Sequence, residues 1–223
     1  MENALIETQD GSHSLLSGVF GVSYHSRYGA IQESSHVFIQ AGLHWKALQS
    51  KQLRILEIGF GTGLNAYLTF LEAKRLDLKI HFESIEAYPI AIEQASMLNY
   101  PLILEPESDA PTLFMKLHAA PFGEAFPLTA YFHLLKQQIL FHNIQYAGEF
   151  DLVYYDAFAP DAQPELWEEP MLRRVYEALK PGGIMVTYCA KGYVKRNLKA
   201  VGFQIEALPG PPGKREMTRC LKP

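Results

Sequence analysis

The stretch that decides the fold is LRILEIGFGTGLN, residues 53–65. Its first half is a short apolar run that ends in glycine, which is typical of a buried parallel strand. Three glycines then occur within five positions, at Gly59, Gly61 and Gly63, and a segment with helical apolar spacing follows. A buried strand, a glycine-rich turn and a helix predict the first β-α unit of a nucleotide-binding α/β domain.

Strands and helices are predicted to alternate along the rest of the chain. Further strands are predicted in IHFESIEA (80–87), in DLVYYDAFAP (151–160), where the strand stops at Asp156, and in IMVTYCA (184–190). Helices are predicted over residues 64–76, 89–99, 164–183 and 191–203. This alternation predicts right-handed βαβ units in a doubly wound, Rossmann-like sheet. Two last strands flank PGPPGK (209–214), which is too short for a crossover helix, so we expect them to be antiparallel. A mostly parallel, seven-stranded sheet with one late antiparallel strand is the outline of the S-adenosylmethionine-dependent methyltransferase fold.

The glycine spacing favours S-adenosylmethionine over a dinucleotide. The dinucleotide fingerprint is G-x-G-x-x-G, but the third glycine here comes one residue early. Glu57, two residues before the first glycine, would repel a pyrophosphate. S-adenosylmethionine carries a sulfonium, an ammonium and no phosphate, so a carboxylate beside a glycine turn suits it. The alternative is that these glycines only form a tight turn.

A second acidic residue supports the same cofactor. Glu86 ends the second predicted strand, 23 residues after Gly63. A carboxylate at that place can accept hydrogen bonds from both ribose hydroxyls. Phe60 and Asn65, in and just after the glycine turn, complete the predicted cofactor-binding set of Glu57, Gly59, Phe60, Gly61, Gly63, Asn65, Glu86 and Asp156.

Asp156 is the predicted catalytic residue. It ends the fourth predicted strand, at the edge where open α/β sheets bind ligands. A protonated amine has no lone pair, so an amine substrate must lose a proton and align its nitrogen with the methyl group. A carboxylate can attract the ammonium, orient it and accept that proton. Phe158, which can stack on a flat base, and Pro160 follow in the same segment. In the alternative interpretation Asp156 is a cap or turn residue and Phe158 belongs to the core.

Charge is divided unevenly along the chain. The net charge is −4, yet residues 171–223 hold eleven Lys or Arg and only three Asp or Glu. Lys195 and Arg196 on a predicted helix, and Lys214 and Arg215 in the last loop, could contact substrate phosphates. The alternative is that these Lys and Arg side chains simply lie on solvent-exposed faces of helices.

Composition excludes several other classes. No apolar run is long enough to span a bilayer, and residues 1–3 lack the layout of a signal peptide, so we expect a cytoplasmic protein that does not bind membranes. Two cysteines are too few for a disulfide framework, and the eight histidines show no metal-ligand spacing, so no metal is expected.

Several segments together resemble the methyltransferase domain of MnmC, the bifunctional tRNA wobble-uridine modification enzyme. They are YHSRYGAIQESSHVFIQAGLHW (24–45), EIGFGTGLN (57–65), IEAYP (85–89), YYDAFAPDAQPELW (154–167), KPGGIMVTYCAKGYVKRNLKAVGF (180–203) and GPPGKREM (210–217). The resemblance implies strand order 3-2-1-4-5-7-6 and methyl transfer to the primary amine of 5-aminomethyl-(2-thio)uridine in tRNA. It also implies that Asp156 lies beside the transferred methyl group and that Phe158, Lys214 and Arg215 line the substrate side.

The chain departs from this family in two ways. The bifunctional enzymes continue into an FAD-dependent oxidase domain, whereas this sequence ends at Pro223, so FAD is not expected and a separate enzyme would supply the aminomethyl substrate. The family also has Gly-Asp after its third strand, where the acid helps to hold adenine. Gln137 and Gln138 occupy that place here. We expect a monomer, because no hydrophobic repeat or zipper is visible.

The predicted organisation is one structural domain. Residues 1–50 form an N-terminal elaboration packed on the core, with turns and short strands such as SHVFIQ (35–40), and residues 51–223 form the methyltransferase domain. Four prolines argue against a long regular helix between residues 105 and 130. Two other functions stay open: a methyltransferase or aminopropyl-transfer relative acting on a small amine, and a non-catalytic cofactor-binding protein.

Overall fold

The computed structural model describes residues 3–106 and 109–223, which form ten strands and eight α-helices. The strands are β1 (Ala4–Glu7), β2 (His13–Leu16), β3 (Gln52–Ile58), β4 (Lys79–Ile85), β5 (Ala125–Thr129), β6 (Phe132–Gln137), β7 (Phe150–Tyr155), β8 (Leu179–Thr187), β9 (Gln204–Pro209) and β10 (Glu216–Leu221). The helices are α1 (Ala30–Ser34), α2 (Trp45–Ala47), α3 (Leu64–Leu76), α4 (Ile92–Ser96), α5 (Tyr100–Leu104), α6 (Ala110–Ala119), α7 (Glu169–Ala178) and α8 (Gly192–Ala200). A π-helix (Ser35–His44) joins α1 to α2, and 3-10 turns cover Phe141–Asn143 and Pro164–Trp167.

The central sheet has the order β5-β6-β4-β3-β7-β8-β10-β9. Strands β6, β4, β3, β7 and β8 are parallel, and β10 runs antiparallel to both of its neighbours. This arrangement confirms the methyltransferase-type α/β fold and contains the expected order 3-2-1-4-5-7-6. It also corrects the strand count, because β5 pairs antiparallel with β6 as an eighth strand. Pro127 is tolerated in β5 because an edge strand has one side without ladder partners.

The N-terminal elaboration is mainly helical where a strand was predicted. SHVFIQ lies in the π-helix, so that prediction was wrong. Its apolar residues pack into the core beneath α3, β7 and β8. Gly42 permits this close approach, because a Cβ there would lie 3.0 Å from a methyl group of Val186 and 3.3 Å from the Tyr154 ring. Three adjacent apolar residues fit a buried strand as well as a buried helix, so the sequence pattern alone could not separate the two.

Two predicted helices differ in their limits, and one helix was not predicted. The helix expected at residues 89–99 is shorter, and α5 follows it as a separate turn. The ten-residue helix α6 lies in the proline-containing region where no long helix is expected from the sequence. Pro111 is in its first turn, where a missing N–H costs nothing. Helix α7 ends at Ala178, so the following Pro-Gly-Gly belongs to the first half of β8 rather than closing the helix.

The site is positioned by the carboxyl ends of the three central strands. Strands β3, β4 and β7 end side by side, and the next residues are Gly59, Glu86 and Asp156. Two buried clusters fill the two faces of the sheet beneath this edge. Within the described ranges, 3–106 and 109–223, no helix combines the length and apolarity needed to cross a membrane.

Candidate active site

The glycine turn holds its shape only with glycine at its first position. Gly59 has a φ of +96° and donates its N–H to the carbonyl oxygen of Ile85 at 2.9 Å. A Cβ at this position would lie 2.9 Å from the backbone oxygen of Asp156. The turn therefore lies directly against the segment that carries the predicted catalytic residue, and a side chain would separate the two.

Glu86 fixes the turn from the other side. Its carboxylate accepts a hydrogen bond from the Gly61 N–H at 2.9 Å and another from the Tyr88 N–H at 2.8 Å. Burial raises the pKa of this carboxyl, and the backbone N–H donors oppose that effect. Glu86 lines the cleft, where a carboxylate can accept a hydrogen bond from a ribose hydroxyl.

Asp156 faces the cleft with one oxygen already engaged. Its Oδ2 accepts a hydrogen bond from the Asn65 side-chain amide at 2.8 Å, and its backbone N–H donates to Ile58 at 3.1 Å. Burial raises the pKa of Asp156 to about 7, and the negative charge of Glu33 adds to this rise. The Asn65 hydrogen bond and the positive charge of Lys214 act in the opposite direction. A carboxyl that titrates near neutral pH can accept a proton from a substrate.

Glu57 lies beneath the turn rather than in the cleft. The side chain is fully buried and accepts a hydrogen bond from the Ser84 hydroxyl at 2.6 Å, while within the described chain its Oε1 has no hydrogen-bond partner. Burial raises the pKa of Glu57 well above its ordinary value. In this structure it supports the neighbouring strand ends, so direct contact with a cofactor remains a prediction.

The cleft fits the expected cofactor. It encloses about 580 Å³ of empty space when the solvent at its open mouth is counted. Of the predicted residues, Gly59, Phe60, Gly61, Asn65, Glu86, Asp156 and Phe158 line it. The described lining residues include two carboxylates and no lysine or arginine. This donor set suits a sulfonium and an ammonium, and it is unsuited to a pyrophosphate.

Aromatic rings from the N-terminal elaboration form one wall of the cleft, which sequence reasoning missed. The Phe158 ring lies 5.0 Å from both the Phe20 and the Tyr24 rings, and Phe20 also contacts Tyr88. Tyr24 packs over the glycine turn, where a Cβ on Gly61 would lie 3.1 Å from its ring. Isolated aromatic residues in a loop carry no sequence period that would identify them as a wall.

The two glutamines at the place of the family's Gly-Asp do not line the cleft. The Gln137 amide donates to the Tyr146 hydroxyl at 2.7 Å and to the Glu83 carboxylate, and Gln138 is exposed. Among the described residues, Phe141 in the following 3-10 turn reaches the cleft instead. An aromatic ring can pack on adenine without reading its hydrogen-bonding edge.

The predicted substrate residues fall into two groups. Lys214 points inward, where its ammonium pairs with Glu33 and lies 3.9 Å from the centre of the Tyr188 ring. Lys195 pairs with Glu216 at 2.8 Å. Arg215 is 93% exposed, with only a loose 3.9 Å contact to Glu216. Arg196 is also exposed, whereas Pro160 is buried in the loop after β7.

Two further residues of the N-terminal elaboration reach this region without any signal in the sequence. Glu33 is buried and accepts the Ser26 N–H at 2.8 Å. His25 lines the cleft, and its Nδ1 lies 2.9 Å from the Ser14 hydroxyl. Burial lowers the pKa of His25 to about 4, so its ring is neutral at physiological pH.

Comparisons with known proteins identify the family of this chain. A family model described as S-adenosyl-L-methionine-dependent methyltransferase matches residues 110–223, slightly more than half of the chain. A relative from Cupriavidus necator, the tRNA 5-methylaminomethyl-2-thiouridine biosynthesis bifunctional protein MnmC, is 33% identical over 207 residues, which cover 87% of this chain and 31% of that protein. The chain thus spans about a third of the length of such relatives.

Comparison with solved structures supports the same fold. The crystal structure of MNMC2 from Aquifex aeolicus superimposes with a TM-score of 0.81 at 26% identity, over 98% of this chain and 70% of that one. A spermidine synthase from Thermotoga maritima shares the fold alone, with a TM-score of 0.54 at 13% identity over 99% and 72% of the two chains. The glycine turn, the acidic cleft and the family match lead to one conclusion: the chain belongs to the S-adenosyl-L-methionine-dependent methyltransferases.

Proposed function

We propose that this protein methylates the primary amine of 5-aminomethyl-(2-thio)uridine at the tRNA wobble position, giving the 5-methylaminomethyl nucleoside. The observation that carries the proposal is the Asp156 carboxyl, which faces a cationic-cofactor cleft and titrates near neutral pH. The names of the similar proteins supply the substrate class. The aminomethyl group would come from a separate enzyme or from a further domain.

Each residue of the proposed set has a role that follows from its place. Glu86 and the glycine turn would hold the adenosine and methionine parts of the cofactor. When bound, the cofactor supplies a methyl group on a sulfonium, whose C–S electron pair leaves with sulfur as the N–C bond forms. Asp156 would pair with the substrate's ammonium, direct its nitrogen into the cleft and take its proton. Phe158 and the aromatic rings beside it would stack on the uracil.

The pH dependence of the rate follows from Asp156. Only its carboxylate form can accept a proton, so kcat/KM should fall as the pH drops through about 7, by about tenfold per pH unit well below that value. The measurement is kcat/KM for methyl transfer between pH 5.5 and 8.5. A profile that stays flat down to pH 5.5 would remove Asp156 as the base.

The exposed arginines beside the cleft are proposed to contact tRNA phosphates. Because the Lys214 ammonium is engaged by Glu33, Arg215 is the better candidate in the last loop. Arg215→Ala should weaken tRNA binding several-fold and reduce the slope of log Kd against log salt by about 1.

A matched control for Arg215 is Lys79→Ala. Lys79 is an exposed cation at the amino end of β4, on the sheet edge opposite the site. Binding measured by filter retention between 50 and 300 mM salt should change for Arg215→Ala and not for Lys79→Ala. Equal effects of the two variants would mean that binding reflects overall charge rather than this loop.

The decisive experiment is methyl transfer to tRNA. The protein is incubated with S-adenosylmethionine and tRNA from cells that lack this methylation, and the digested nucleosides are analysed by mass spectrometry. Conversion of 5-aminomethyluridine species to their methylated form supports the proposal. No conversion, with cofactor binding demonstrated by calorimetry, contradicts it and leaves a small amine substrate or a non-catalytic role.

The monomeric state remains a prediction, which light scattering would check.

A further inference from the structure

An ion pair between a buried carboxylate and a partly exposed ammonium lies next to the cleft, and it belongs to neither the cofactor turn nor the exposed arginines. The Glu33 carboxylate, at the end of the N-terminal elaboration's first helix, pairs with the Lys214 ammonium from the loop between β9 and β10. Two elements that are 181 residues apart in sequence are joined here. Burying the Glu33 carboxylate costs desolvation free energy, which the Lys214 ammonium offsets, so this pair calls for a reason beyond stability.

The contacts of the pair lead through Tyr188 to the backbone of the residue that follows Asp156. The Lys214 ammonium lies 3.9 Å from the centre of the Tyr188 ring, and the Tyr188 hydroxyl donates to the backbone oxygen of Ala157 at 2.7 Å. Ala157 follows Asp156 in the chain. On the other side, the Ser26 N–H holds the second oxygen of Glu33 at 2.8 Å, which fixes the carboxylate in place.

We propose that Glu33 and Lys214 are positioning residues for Asp156: a fixed pair of opposite charges beside the catalytic carboxyl that sets its proton affinity. The proposal extends the proposed function, since it assigns to the N-terminal elaboration a part in the proton transfer. It also changes the role of Lys214, which the family resemblance implied to be a residue on the substrate side.

Burial shifts the pKa of the other titratable groups around Asp156 toward their uncharged forms. The pKa values of Glu57 on β3 and Tyr188 after β8 are raised well above their ordinary values, and the pKa of His25 is lowered to about 4. Burial also raises the pKa of Glu86, the other carboxyl that lines the cleft. Asn65 on α3 is uncharged. Glu33 and Lys214 are therefore the two neighbours whose charges act on Asp156, with opposite signs.

Because Glu33 and Lys214 carry opposite charges, removing either one should shift the pKa of Asp156 in opposite directions. Glu33→Gln removes a negative charge, so the pKa of Asp156 should fall by about half a unit or more. Lys214→Met removes a positive charge, so the pKa should rise by a similar amount. The double variant should return close to the wild-type value. Glu216→Gln, which breaks the Lys195 ion pair on the surface, is the control and should leave the pKa unchanged.

The readout is direct titration of the Asp156 carboxyl. Protein labelled with ¹³C at the aspartate carboxyl carbon is titrated by NMR, and the Asp156 signal is assigned by its loss in Asp156→Asn. This measurement needs no tRNA, so its failure is distinct from failure of the proposed substrate. Opposite shifts that cancel in the double variant establish the proposal. Unchanged midpoints, or shifts in the same direction, overturn it.

If the Glu33→Gln variant does not fold, the proposal can still be tested with the second variant. Lys214→Met alone predicts an upward shift, and its side chain keeps the aliphatic contact with Tyr188. Where tRNA methylation is measurable, the pH at which kcat/KM falls on the acid side should move with the NMR midpoint in each variant. If the pair had only a packing role, its loss would lower kcat at every pH and leave that pH unchanged.

Discussion

Replacing Asp156 by asparagine should lower the rate of methyl transfer by about 10²–10⁴-fold, the usual contribution of a positioned general base. The asparagine keeps the size of the side chain, and its carbonyl oxygen can still accept the hydrogen bond that Asn65 donates at 2.8 Å. It has no negative charge for the substrate's ammonium and no place for the proton. Cofactor affinity should fall much less than the rate, because Glu86 and the glycine turn are untouched and only one of the two cleft carboxylates is lost.

The same substitution should make the protein more stable at alkaline pH. The pKa of Asp156 is raised from 3.8 to about 7 in the folded protein. Between these values the unfolded chain releases its proton and the folded protein keeps it, so the free energy of unfolding falls as the pH rises through this window. Above pH 7 the full cost is present, and asparagine removes it. We expect the Tm at pH 8 to rise by a few degrees.

The measurements are single-turnover rates, cofactor affinity by calorimetry, and Tm at pH 5 and pH 8. The control is Asp161→Asn in the same loop, because Asp161 is 83% exposed and pairs only with Lys191 on the surface. That variant should retain its rate and show no gain in Tm. If Asp156→Asn turned over as fast as the wild type, Asp156 would have no part in the reaction.

The sequence located the residues whose positions follow from strand order. Gly59, Glu86 and Asp156 each come directly after a parallel strand, and the carboxyl ends of neighbouring parallel strands meet at one edge. Identifying the strands was therefore enough to bring these three together. No contact between side chains had to be predicted.

The rest of the site depends on long-range packing that no local pattern records. The aromatic rings of Phe20 and Tyr24 line the cleft, and Glu33 lies near Asp156 without lining it, because residues 13–47 fold over the sheet. Lys214 looked like a surface cation, and only the position of Glu33 turns it inward. The sequence left the adenine contact open at Gln137, and in the structure Glu83 on the neighbouring strand and Tyr146 take both of its amide contacts.

Replacing Gly59 by alanine should abolish cofactor binding at micromolar concentrations, with at least a tenfold loss in affinity. Two costs combine. A φ of +96° is strained for alanine, and the new Cβ would lie 2.9 Å from the backbone oxygen of Asp156. Relieving that contact must move either the glycine turn or the segment that carries Asp156. Both movements would disrupt the cleft, so cofactor affinity and methyl transfer should fall together.

Gly123→Ala separates these two costs. Gly123 has a similar positive φ of +80°, but a Cβ there would meet no atom within 4 Å, and it lies outside the cleft. Both variants should lose about 1–3 kcal/mol of stability from backbone strain, measured by urea unfolding. Calorimetry should show that Gly123→Ala binds S-adenosylmethionine as the wild type does, whereas Gly59→Ala does not. If Gly59→Ala bound the cofactor normally, the turn would not be part of the cofactor site. If both variants lost binding, the effect would come from lost stability, and the close approach of the turn to Asp156 would have no specific role.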